Sequence, residues 1–242
     1  MAPRVARAAR MVVLAMVVAA AALGAEAAPP DYPGSGFYSL QAAAARWNVG
    51  RVKSLLPAGR DSVNARVAGW TPLAAALQAA ATPRGEFEYS REAVQIASAL
   101  ACMGADPYAP FPNRDTGSGP MHQAAVDGMA NIVLSFLRAG AAPNRANKAG
   151  VTPLGAVAQC RSRGTVDSAA ADTAAVLLAY GADKNAAAAF ASEAARNGCP
   201  LTAGVLRKGV APAEAAAIKG GRLPNIGKAD TRVVRWHWPA MC

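Results

Sequence analysis

Self-similarity at a spacing of 33 residues constrains this 242-residue chain more than any other feature. Gly69-Trp70-Thr71-Pro72-Leu73 returns as Gly150-Val151-Thr152-Pro153-Leu154, and Gly119-Pro120-Met121-His122-Gln123-Ala124-Ala125 is a third variant. Leu40 and Leu73 are 33 residues apart, as are Met121 and Leu154. Downstream of each start comes an apolar pair and then a Gly-Ala-Asp-like triplet: Gly104-Ala105-Asp106, Gly140-Ala141-Ala142 and Gly181-Ala182-Asp183. A unit this short cannot bury its own apolar face, so neighbouring units must stack to make a core.

Each repeated position has a physical reason. Thr before Pro starts a helix well: the hydroxyl accepts from open N–H groups, and Pro fits the first turn, where its missing donor costs nothing. The pairs Ala43-Ala44 and Ala124-Ala125 allow a first helix to approach its neighbours closely. Leu55-Leu56, Phe136-Leu137 and Leu177-Leu178 place bulk on a second helix facing the core. Gly59, Gly104, Gly140 and Gly181 follow, where a left-handed residue ends a helix. Asp61, Asn64, Asp106, Asn144, Asp183 and Asn185 then supply turn-forming side chains.

The period of 33 and the T-P-L-H-x-A-like signature resemble the ankyrin repeat, in which a β-turn precedes two antiparallel helices. That resemblance implies an all-α solenoid of about five helix–turn–helix units with short hairpin loops. The units span about 37–66, 68–108, 119–145, 150–185 and 186–211. The first lacks Thr-Pro, the second and fourth carry insertions near 82–91 and 161–172, and the fifth is weak. Atypical terminal units are expected because end repeats present a solvated face. The resemblance also implies that His122 bridges backbone groups of adjacent hairpins, and that hairpin tips and the first-helix face bind proteins.

Residues 1–27 read as a secretory signal peptide: Arg4, Arg7 and Arg10 precede an apolar run from Met11 to Leu23, and Ala25-Glu26-Ala27 offers a cleavage site. A Pro/Gly-rich spacer follows at 28–36. The apolar run is too short to span a bilayer as a helix, so no stable membrane insertion is expected after cleavage. Elsewhere apolar residues are scattered, which excludes a polytopic membrane protein. Hydrophobic residues at 53% and charged residues at 17% exclude a disordered charged tail.

Nothing in the sequence assembles into an active site. There are only two histidines, His122 in the repeat motif and His237 between Trp236 and Trp238. Glu86 and Glu88 read as a solvated pair in an insertion. No nucleophile elbow, His-Glu-x-x-His pair or phosphate loop occurs, so neither catalysis nor a cofactor or metal is expected. The four cysteines permit two disulfides in an exported chain. Cys160–Cys199 is the favoured pair. Cys102 reads as a small packed residue, and Cys242 either staples the tail to the array or stays free.

The formal charge is +10. Export separates the chain from cytoplasmic nucleic acid, so a protein partner is expected instead, and an acidic one. Arg114, Arg145, Lys148 and Lys184 fall on hairpins, while Gln123 falls on a first helix; these are the candidate partner-binding residues. The sequence thus reads as a monomeric, periplasmic or secreted, protein-binding scaffold that inhibits or supports an envelope enzyme or toxin. Its competitor is an envelope-surface module whose basic tail, 212–242, binds anionic lipid or polysaccharide. That tail otherwise caps the array.

Overall fold

The structure, a computed structural model, describes residues 36–56, 63–80, 91–112, 114–160 and 166–224. The signal peptide, Glu86, Glu88, His237 and the 225–242 part of the tail lie outside the described residues. Every regular element among those described is a helix: α1 Gly36–Ala45, α2 Val49–Leu55, α3 Pro72–Ala80, α4 Arg91–Cys102, α5 Pro120–Val126, α6 Ala130–Arg138, α7 Pro153–Ala158, α8 Asp167–Ala179, α9 Lys184–Arg196, α10 Pro200–Lys208 and α11 Pro212–Lys219. Successive helices pack in pairs, α1 with α2 through α9 with α10. The first members touch in the order α1, α3, α5, α7, α9, and the second members in the order α2, α4, α6, α8, α10. Two layers of helices result.

Local chemistry explains the boundaries. The Thr71 hydroxyl accepts the Ala74 N–H at 3.2 Å and the Thr152 hydroxyl accepts the Gly155 N–H at 3.2 Å, each opening a helix that begins with Pro. The third unit has Gly119 at this place, because a Cβ there would sit 2.7 Å from the Ala109 carbonyl oxygen. The His122 imidazole instead reaches back to this position, taking the Gly119 N–H itself on Nδ1 at 3.5 Å. The second helices end alike: Gly104, Gly140 and Gly181 all have φ near +90°, and the residue after each donates back to a carbonyl five residues earlier, as Ala105 does to Leu100 at 2.9 Å. Trp47 makes the corresponding turn after α1 without glycine, at φ +53°, and its indole N–H donates to the Ala76 carbonyl of α3 at 3.1 Å.

Between the layers, Ala44, Ala124, Ala125, Ala174 and Ala175 are fully buried, along with Leu100, Phe136 and Leu177. Small residues on closely approaching helices and bulky ones between them fill a continuous core. The Cys160–Cys199 disulfide links the end of the α7 turn to the N-cap of α10, with Cα atoms 6.5 Å apart. Cys102, half-buried at the end of α4, is also disulfide-bonded.

Three boundaries differ from expectation. Helix α8 starts at Asp167, inside the expected 161–172 insertion, and the Asp167 carboxylate accepts the Leu201 and Thr202 N–H groups at 2.8 and 2.9 Å, opening α10. Helices α1 and α9 begin at Gly36 and Lys184, each slightly earlier than the pattern indicates. Helix α11 does not close the end of the array. It packs on α8, and the Lys219 carbonyl accepts from Arg138 of α6 at 2.9 Å.

Candidate protein-binding edge

Consecutive hairpins are joined by one recurring contact. Asn64 donates to the Gly104 carbonyl at 2.8 Å while its side-chain oxygen accepts the Asp106 N–H at 2.7 Å. Asn144 repeats this two units on, with the Gly181 carbonyl at 3.0 Å and the Asp183 N–H at 2.9 Å. Each asparagine therefore clasps the Gly-Ala-Asp triplet of the following unit. The hairpin between them carries Tyr108 where asparagine would stand, and the Tyr108 hydroxyl donates to the Ala142 carbonyl. The link survives with different chemistry.

Tyr108 also carries a cation. The Arg145 guanidinium lies 4.9 Å from the centre of its ring and pairs with Asp106 at 3.7 Å, with 58% of the Arg145 side chain exposed. Burial pushes the Tyr108 hydroxyl up to about 12; the Arg145 charge opposes that rise and the Asp106 charge adds to it. On the same segment the Arg114 guanidinium stands 4.5 Å over the Phe111 ring, which is itself buried and edge-on to Trp70 at 5.9 Å. Rings three residues apart thus hold two guanidinium planes in place.

The 111–118 loop receives a third cation from the next hairpin. The Lys148 stem passes over Gly117, where a Cβ would fall 2.6 Å from the lysine Cγ. Asn147 donates to the Ser118 hydroxyl at 2.9 Å, tying the two loops together. Arg114, Arg145 and Lys148 consequently gather around the segment 106–118. Lys184 stands apart, exposed at the start of α9, beside a shallow hollow that it lines with Arg207 and Lys208.

Gln123 requires a correction. It is only 1% exposed, and its amide donates to the Asp127 carboxylate one turn along α5. A residue spent on an internal contact offers no open first-helix surface. His122 beside it is buried, edge-on to Tyr108 with ring centres 5.6 Å apart. Burial lowers its affinity for a proton; the carbonyls of Arg145 and Val151 raise it and the Arg145 charge lowers it again. Its Nε2 has no partner within hydrogen-bond distance.

Tyr108 and Phe111, the platforms for both arginines, are not marked by the repeated pattern. A signal existed in the tyrosine at the asparagine position of a repeated triplet, four residues after Gly104. Among the described residues no three His, Cys, Asp or Glu side chains converge as a metal site requires, and no helix is long and apolar enough to cross a membrane. No known family model matches the chain, and no curated protein matches it.

Proposed function

We propose that this chain is an ankyrin-like solenoid, exported to the periplasm or beyond, that works by binding an acidic envelope protein, an enzyme or a toxin, along its hairpin edge. The observation that carries this reading is the pair of guanidinium groups fixed over Tyr108 and Phe111. Held by rings, with Arg145 exposed to solvent, they lose little freedom on meeting carboxylates, so less of the contact energy is spent on ordering. The clasped hairpins support the solenoid part of the reading, since they keep successive edges in register. The Cys160–Cys199 bridge suits an oxidising compartment. Stoichiometric binding needs no reactive group, in keeping with an edge built from cations and rings.

The test is capture from an envelope extract by the parent chain and by a variant carrying Arg145→Glu and Lys148→Glu, at low and high salt. An acidic protein retained by the parent at low salt, and lost with either salt or charge reversal, is the expected result. Retention of the same proteins by both chains at both salts would overturn it.

A further inference from the structure

The clasp between hairpins is missing at the last step of the array. Asn185 stands four residues after Gly181, as Asn144 stands four after Gly140, yet its side chain holds nothing among the described residues. Beyond α10 the chain passes through Gly209 at φ +71° into α11, which packs on α8 and opens no further hairpin. A hollow of about 120 Å³ remains between the start of α9 and the end of α10. One water needs about 10–15 Å³ of such space, so a group of several heavy atoms fits.

Three cations meet at this hollow. Lys184, Arg207 and Lys208 line it and are all exposed, while Leu178, Ala187 and Leu206 add buried apolar side chains that bring no charge of either sign. Among the described residues no carboxylate lies within ion-pair distance of any of the three. Asp183, the acid next to Lys184, has its carboxylate on the Asn185 N–H at 2.8 Å. Arg145 on the hairpin edge, by contrast, has Asp106 at 3.7 Å. Like charges gathered around one gap repel each other, and an anion seated between them removes that cost.

We propose that this hollow is a phosphate site, filled by free phosphate or by the phosphate of a lipid headgroup, with Lys184, Arg207 and Lys208 as its ligands. A phosphate carries close to two charges and three acceptor oxygens, which three unpaired cations match better than they match a single carboxylate. The guanidinium offers a planar fork to two of those oxygens, and the ammonium groups act as point charges on the remainder. The site is independent of the hairpin edge, where Arg114, Arg145 and Lys148 gather around the segment 106–118. It exists because the array stops here: a further hairpin would occupy the same gap.

The test is titration of the full chain with inorganic phosphate at about pH 8 and fixed ionic strength, read by amide NMR shifts. Saturable shifts are expected at Lys184, Ala187, Gly209 and Val210. Binding should weaken at least about tenfold in a variant carrying Arg207→Gln and Lys208→Gln, and stay unchanged in one carrying Arg145→Glu and Lys148→Glu. Phosphatidylcholine vesicles with and without phosphatidic acid identify the source. Retention that needs phosphatidic acid and is lost in the Arg207→Gln, Lys208→Gln variant assigns the site to a lipid headgroup; binding of free phosphate alone assigns it to a soluble ligand. Acetate shifting the same amides as strongly as phosphate, or phosphate binding that variant as tightly as the parent, would overturn the proposal. So would a phosphate titration that moves no amide around the hollow.

Discussion

Asn144 and Asp183 belong to different units, yet the Asn144 side-chain oxygen accepts the Asp183 backbone N–H at 2.9 Å while its amide reaches Gly181 at 3.0 Å. One short side chain satisfies a donor and an acceptor of the neighbouring hairpin. The link therefore depends on the register between units and on nothing inside either of them. Replacing Asn144 with Ala should cost about 1–3 kcal/mol, two modest hydrogen bonds at a largely exposed site. Denaturant unfolding of the parent and variant measures this, and a loss under half a kilocalorie would show that water replaces the clasp fully.

Asp167 is a helix cap supplied from another unit. Its carboxylate takes the Leu201 and Thr202 N–H groups and the Thr202 hydroxyl, the last at 2.8 Å. Asp167→Ala should cost about 1–2 kcal/mol, the usual range for a lost N-cap. Thr202→Val removes part of the same network, so the double variant should lose less than the sum of the single losses. Strict additivity in chemical melts would refute the shared network.

His122 should make stability depend on pH in a defined direction. Burial holds its folded affinity for protons below the ordinary 6.5. Unfolding releases that restraint, so below about pH 6.5 the unfolded chain holds a proton that the folded chain refuses. Stability is then complete above that pH, falls as pH drops through it, and stops falling once the folded imidazole is also charged. His122→Gln should flatten this limb relative to the parent. Identical slopes in pH-dependent melts would remove His122 as the source.

Cys160 and Cys199 are 39 residues apart in sequence. Closing a loop of that size restricts the unfolded chain by about 4 kcal/mol on the chain-entropy account. Replacing both cysteines with Ser should lower stability by up to this amount while leaving helix content intact. Thermal and denaturant melts of the double variant, compared with the parent under non-reducing conditions, check both parts.

The regular parts of the array were legible in the sequence because they depend on neighbours in sequence. Thr71 and Thr152 cap helices three residues away, and Gly104, Gly140 and Gly181 turn the chain where the apolar pairs end. The Cys160–Cys199 pair was also legible, since both residues hold nearly equivalent positions in adjacent units. What escaped depends on contacts across units. A 33-residue period gives no sign that the Asp167 carboxylate takes N–H groups 34 and 35 residues on, or that α11 would turn back onto α8. Gln123 reads as first-helix surface from the repeat alone, but here Asp127 takes it inward. The candidate edge divides in the same way. Its cations stand on hairpins, but the rings that fix two of them are local departures from the repeated pattern.

Gly119 carries that point into protein engineering. Raising a repeat toward its average sequence is a common route to greater stability, and the average here would restore Thr before Pro120. The Ala109 carbonyl lies 2.7 Å from where its Cβ would go, with the Tyr108 carbonyl carbon at 2.8 Å. Both are main-chain atoms of the preceding hairpin and cannot swing aside as a side chain would. A threonine would gain a hydroxyl cap for the His122 N–H but would push two units apart. Statistical repair of this chain should leave residue 119 as it stands, because an average over repeats has no record of the neighbour that occupies the space.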